Sequence, residues 1–371
     1  MCNRHASPCS PRRASQAPRR KEVKTVPSSE GKVQVTRRDF LRNIGAGVAG
    51  AALLCSCKGA SQASGSAPTR VAQAPAVQPA PAEKVRAAII RHSGILADES
   101  TPDPDAVLAA LDAGVRHCFG TDDAPAAWRR VAGPDDVVAI KVNCISGLIY
   151  STPEVSGAIA QRLIEVGVPP EKIIIWDRDS GELQRSRYRI NRDGPGVRCY
   201  GTDGAYGDWV RHRSISVRLS RIIDEATVII NVPVLKNHGG AGVTLSMKNH
   251  YGSVANPGDL HANLCNPACA HLADLPAIRD KTRLIVCDAT RGLCDQGPGG
   301  TPDRLWPARS LIVSTNMVAA DVLGLEMIEA ERARRGLVTI APHAIHIATA
   351  ASIGLGPNDR AQMDVLELDL S

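Results

Sequence analysis

Aromatic side chains are scarce in this sequence: 2 Phe, 5 Tyr and 4 Trp among 371 residues, or 3%. Proteins that hold single-stranded nucleic acid stack bases on aromatic rings, so the scarcity argues against that function. Nor does the folded part carry a basic excess. Residues 1–56 hold 11 Lys/Arg against 3 Asp/Glu, whereas residues 57–371 hold 33 against 35. The formal charge of +6 therefore resides in the leader, and no nucleic-acid partner is expected. Several motifs are missing too. There is no Gly-x-Ser-x-Gly elbow for a hydrolase nucleophile and no His-Glu-x-x-His pair for a zinc protease. There is no Cys-x2-Cys-x2-Cys run, which leaves an appended ferredoxin module without support. Val, Ile, Leu and Ala are left to build the core.

The leader has an order of its own. Arg37-Arg38 and then Phe40-Leu41 precede a Gly/Ala-rich apolar run at residues 44–54. This arrangement resembles a twin-arginine export signal. The 11 residues of the run fall short of the ~20 that an ordinary spanning helix needs. Leu54-Cys55-Ser56-Cys57 resembles a lipobox, in which Cys57 is lipidated and becomes the new N-terminus. Cleavage near Ala51 and an uncleaved anchor are the alternatives. The two or three acyl chains of a bacterial lipoprotein hold stably to a membrane. The expected partners are thus the twin-arginine export machinery and the membrane. The expected location is the periplasm or the outer face of the membrane. The resemblance also implies a protein exported already folded, often with a cofactor inserted. Residues 59–81 mix Ala, Ser, Pro, Gln and Val and cannot bury a core. The chain divides into an export signal at 1–57, a disordered linker at 58–82 and a single large domain at 83–371.

Within that domain, apolar β-branched runs alternate with helical spacing. Strands are expected at 85–91, 136–142, 172–176, 227–232, 282–287 and 311–314, with an edge strand at 365–368. Helices are expected at 104–119, 125–131, 153–166, 220–226, 243–251, 317–334 and 342–352. Residues 185–207 are polar and Gly-rich and read as an excursion over the site. The order predicts an α/β domain, a mostly parallel sheet with helices on both faces.

Several strands end in polar residues: Lys141 and Asn143, Asp177 and Asp179, Lys236 and His238, Asp288. In a parallel sheet these ends share one edge, where ligands bind. Lys141, Asn143, Asn237, Gly239, Gly240 and Asp288 are candidate ligand-binding residues. Lys236 and Lys248 would neutralise a small anionic ligand, with the glycines allowing close backbone approach. His238 and His250 are candidate acid/base groups, with Lys236 and Lys248 as electrostatic stabilisers. The Gly-rich loop at 239–242 is neither a Walker loop nor a dinucleotide fingerprint.

His261, Cys265, Cys269 and His271 form a His-x3-Cys-x3-Cys-x-His group. Imidazole and thiolate are the donors that zinc, iron or an iron–sulfur centre takes. A disulfide, which export favours, and unrelated buried thiols are the alternatives. Seven cysteines follow the linker, an odd number that cannot all pair within one chain.

The segments Ile140-Lys141-Val142-Asn143, Asn231-Val232-Pro233, Lys236-Asn237-His238, Ser246-Met247-Lys248-Asn249, Ala273-Asp274-Leu275, Cys287-Asp288-Ala289, Gly297-Pro298 and Ala320-Asp321 occur in that order. Together they resemble the family known as domain of unknown function 362, sometimes found in iron–sulfur proteins. Many relatives carry a ferredoxin module and this chain does not. The resemblance brings no settled activity. Three readings follow: an extracytoplasmic metal-dependent enzyme or redox protein, a tethered binding protein for a small anionic ligand, or a maturation factor for another exported protein.

Overall fold

Strands covered by helices on both faces need apolar residues on both, and the β-branched runs supply them. The computed structural model describes residues 84–371. The expected export signal, lipobox at Cys57 and linker lie outside the described residues. The strands are β1 (Val85–His92), β2 (Val138–Lys141), β3 (Ile173–Trp176), β4 (Arg198–Cys199), β5 (Tyr206–His212), β6 (Ile215–Ser220), β7 (Val228–Asn231), β8 (Val234–His238), β9 (Gly242–Val243), β10 (Thr282–Leu293), β11 (Leu305–Trp306), β12 (Ser310–Ser314) and β13 (Met363–Leu370). The central path of the sheet runs β13-β1-β12-β10-β7-β2-β3-β4. Neighbours along it are parallel except at β12, which is antiparallel to both β1 and β10. The domain is thus the expected mostly parallel α/β sheet with helices on both faces.

Among the helices are α1 (Pro104–Phe119), α2 (Ala124–Val131), α3 (Pro153–Glu165), α4 (Leu245–Asn249), α5 (Ala268–Ala273), α6 (Met317–Arg334) and α7 (Ile345–Ser352). Alternate residues of each strand feed the two layers. Ala88, Ile90, Val138, Ile140, Val228 and Ile230 pack with Val107, Leu111, Trp128 and Ile159 of α1 to α3. Ala87, Ile89, Ala139, Ile174 and Ile229 join the opposite layer, which includes Met247, Leu272, Val318 and Leu323 of α4, α5 and α6. α1 shows why its bounds are legible in sequence. The Asp103 carboxylate accepts from Ala106 N at 2.9 Å, Pro104 opens the helix, and Gly120 closes it at φ 61°.

From β2 the chain moves outward to β3 and β4, then returns to lay β7 on the other side of β2. The segments that follow β2 and β7 therefore diverge. The carboxyl ends of these two strands form a topological switch point, the place where open α/β sheets leave a crevice. Lys141 closes β2 and Asn231 closes β7, paired in register.

Four local expectations need correction. Residues 236–242 are not a loop: Lys236, Asn237 and His238 belong to β8, which turns through Gly239-Gly240 into β9. The helix expected over 243–251 is α4 followed by a 3-10 turn at His250–Ser253. β10 continues past Cys287 to Leu293, where it pairs with Lys236 of β8. Residues 206–220 form a β5–β6 hairpin that the pattern did not announce. Among the described residues no helix is long and apolar enough to cross a membrane.

Candidate functional site

Lys141 would be stranded inside the protein without a counterion, since it is fully buried. The Asp177 carboxylate, just beyond β3, meets its Nζ at 2.6 Å. Both partners are buried, so removing either would leave an uncompensated charge. Asp177 also accepts from Cys144 N at 2.6 Å and Arg178 N at 2.8 Å, which fixes the loops after β2 and β3. Gly252 lets this pair exist: a Cβ there would lie 2.6 Å from Asp177 Oδ1 and 2.8 Å from Lys141 Nζ.

A chain of buried amides links the pair to α4. Asn249 Nδ2 donates to Asn231 Oδ1 at 2.8 Å and to Lys141 O at 3.2 Å, while its Oδ1 accepts from Asn143 Nδ2 at 2.9 Å. Asn231 Nδ2 reaches Ser246 O at 2.8 Å and His250 Nε2 at 3.1 Å. Because that Nε2 accepts, the His250 proton sits on Nδ1 and goes to Ser253 Oγ, 3.1 Å away. Burial, then the charge of Lys141, depresses the His250 pKa to about 3. His250 is thus a neutral strut in the framework, enclosed on all sides. Asp321 of α6 accepts from Ser246 N and Oγ at 2.6 Å and from Met247 N at 3.1 Å, anchoring the start of α4. Burial raises its pKa to about 7 against these hydrogen bonds.

Lys236 and Lys248 differ from Lys141 in having no carboxylate. Lys236 is fully buried, and its Nζ donates to Asn143 Oδ1 at 2.7 Å. Lys248, 5% exposed, lies 3.8 Å from the Tyr251 ring centroid and 3.3 Å from His261 Nε2. The His261 Nδ1–H donates to Pro257 O at 2.8 Å, so Nε2 is free to accept from the ammonium. Among the described residues, neither lysine has a carboxylate within ion-pair distance. Burial lowers the Lys236 pKa to about 8, with Lys248 and Lys141 adding to the effect and Asp177 and Cys144 opposing it. Burial lowers Lys248 as well.

His238 stands two positions beyond Lys236 on β8, on the same face. Its Nδ1 accepts from Gly240 N and Ala241 N, both at 3.1 Å. Burial and the charges of Lys248, His261 and Lys236 push its pKa down to about 3, so it is a neutral imidazole with its proton on Nε2. Its ring centroid is 5.9 Å from that of exposed His261. His238, half-buried, and His261 thus form the outward side of the lysine cluster. A further imidazole, His346 of α7, is fully buried with neither ring nitrogen hydrogen-bonded. The charges of Lys248 and His346 both bear on His238.

Other expected ligand residues serve the frame. Asp288 spends one oxygen on Thr152 N and Oγ1, both at 2.8 Å, and the other on Thr290. Asn237 Oδ1 accepts from Gly297 N at 2.8 Å. Gly239 N bonds Gly297 O and Gly240 N bonds His238, so neither amide faces an anion. Asn231, Asn249, Asp321, Gly252, Tyr251 and His346 were not singled out from sequence. Asparagines and glycines carry no titratable signature; Asn231, Asn249 and Asp321 were signalled only by their place in the ordered segments, and Gly252, Tyr251 and His346 by nothing in the pattern.

The Cys/His group does not assemble. Cys265 and Cys269 are fully buried, near enough to Lys248 for their charges to bear on it, and exposed His261 contacts the same ammonium, so Lys248 stands among these donors rather than a metal ion. α5 turns His271 away to Ser214 Oγ, 2.7 Å from its Nδ1. Among the described residues no group of three or more His, Cys, Asp or Glu side chains is arranged to hold a metal ion. The expected zinc, iron or iron–sulfur site therefore does not fit these residues. Burial drives the Cys269 thiol far up in pKa, and all seven cysteines among the described residues are free and buried.

The architecture defines a class: a parallel α/β domain with a polar, lysine-rich cluster at its switch point. The chain belongs to the family described as Domain of unknown function (DUF362), which matches residues 138–326. That span runs from β2 into α6 and contains the whole lysine cluster, leaving out His346. Comparison with curated proteins finds no match.

Proposed function

We propose that the protein captures a small anionic ligand between Lys236 and Lys248 at the carboxyl edge of the sheet. The observation that carries this reading is the pair of buried ammonium groups without carboxylate partners. Moving a charge out of water costs several kcal/mol unless it is paired. An anion seated between the two lysines would supply that pairing, with the neutral His238 offering an Nε2–H donor. Export through the twin-arginine route and a lipid on Cys57 belong to the same proposal: a binding protein tethered at the outer face of the membrane.

Thermal unfolding in a panel of chloride, phosphate, acetate, pyruvate and citrate tests the reading. A ligand at a hundred times its Kd stabilises by about 3 kcal/mol. At least one anion should raise the melting temperature saturably, and Lys236→Met and Lys248→Met should abolish the rise. A panel with no saturable shift, or shifts that persist in both variants, would refute it.

A further inference from the structure

The geometry around Lys236 goes beyond anion capture. Its Nζ has one hydrogen-bond partner, the Asn143 Oδ1 at 2.7 Å. The amine is fully buried and makes no other hydrogen bond among the described residues. It sits on β8 at the switch point, two residues inside His238, and shares its surroundings with a second cation, Lys248. A lysine desolvated in a dry site is how proteins make an amine nucleophile, and such amines react with carbonyl carbon. Lys141 is committed to Asp177, which leaves Lys236 as the reactive member and Lys248 as the charge anchor.

We infer that the ligand is an oxo acid, its carboxylate held by Lys248 and its carbonyl carbon bonded to Lys236 as an imine. This rests on the anion-binding reading above. In the step, the uncharged Lys236 nitrogen attacks the carbonyl carbon and a C–N bond forms. The carbonyl oxygen leaves as water, carrying away the two amine protons, and the C=N bond remains. His238 lies two positions along β8 on the same face, and its Nε2–H would hydrogen-bond the oxygen as it leaves. The depressed pKa of Lys236 leaves a usable share of uncharged amine near neutral pH.

Borohydride trapping tests this in the intact protein. The purified chain is incubated with pyruvate or 2-oxoglutarate, reduced with sodium borohydride, digested and mapped by mass spectrometry. Hydride adds to the imine carbon, so the adduct weighs the oxo acid less one oxygen atom. The expected result is an adduct at Lys236 at least tenfold above that at the more accessible Lys84 and Lys172 of the same chain. It should fall several-fold in Lys248→Met and be competed by acetate. The site is read in the unaltered chain, so a misfolded variant does not leave the question open. Saturable binding of pyruvate with Lys236 unmodified, or with adducts spread evenly over accessible lysines, overturns the imine and leaves anion capture standing. Absence of binding by every anion overturns both.

Discussion

Lys236→Met should stabilise the protein at pH 7, although it removes a hydrogen bond. The folded-state pKa of about 8 lies below the ordinary 10.5. Between these values the unfolded chain binds the extra proton and the folded one does not. Stability therefore rises with pH from about 8 to 10.5, and below 8 the burial penalty stands in full. The gap corresponds to about 3 kcal/mol at pH 7. Methionine is unbranched, near in volume, and removes that penalty. Against it, Asn143 Oδ1 loses its donor, which costs about 1–3 kcal/mol. The net at pH 7 is a gain of roughly 0–2 kcal/mol. At pH 10.5 the penalty is gone from the native protein too, so the variant should be about 1–3 kcal/mol the weaker. Urea unfolding of both proteins from pH 7 to 10.5 measures the difference directly. A difference that does not change with pH, or a loss above about 3 kcal/mol at pH 7, would refute the placement of a frustrated cation at this position.

Other perturbations probe the frame. Asp177→Asn leaves the Lys141 ammonium buried and unpaired, and chemical denaturation should show a loss of about 3–5 kcal/mol, whereas Arg360→Gln, which breaks half-exposed pairs, should cost less than about 1 kcal/mol. Gly252→Ala forces a Cβ against both members of the buried pair and should cost about 1–3 kcal/mol; Gly240→Ala, with no atom nearer than 3.6 Å, should stay within about 0.5 kcal/mol. His238, His250 and His346 all have pKa values near 3 against an ordinary 6.5, so their contribution is complete above 6.5 and is lost as pH falls toward 3. The melting temperature should therefore decline steadily below pH 6.5, and His346→Leu should flatten that decline.

The layers of the fold were legible because burial on both faces leaves a mark in composition. A run such as Ile173-Ile174-Ile175 has no other reading, and Asp103, Pro104 and Gly120 mark the ends of α1 chemically. β8 was illegible for the opposite reason. Lys236-Asn237-His238 looks like a loop because polar residues are expected in water, yet the first two are buried within a hydrogen-bonded network. Whether polar residues are buried in such a network depends on partners distant in sequence: Asn143 lies 93 residues from Lys236. The Cys/His group failed on the same ground in reverse. Four donors within eleven positions are close in sequence, but one turn of α5 sends His271 to the β5–β6 hairpin and buries Cys269.

The lysine cluster also sets a constraint on how the domain divides its stabilities. Lys141, Asp177, Asn143, Asn231 and Asn249 satisfy one another, so that part of the edge gains nothing from a ligand. Lys236 and Lys248 remain under-satisfied beside it, on elements that the amide chain and Asp321 hold rigidly in place. A cation that could move would turn toward water or a carboxylate; these two are kept from both. The rigid, satisfied frame is thus what makes the unsatisfied charges available, and ligand affinity should depend on frame residues that touch no ligand. Asn249→Ala, which unlinks Asn143 from Asn231, should weaken anion binding through Lys236 while leaving the Lys141–Asp177 pair intact. If affinity is unchanged in a folded Asn249→Ala protein, the frame does not position Lys236.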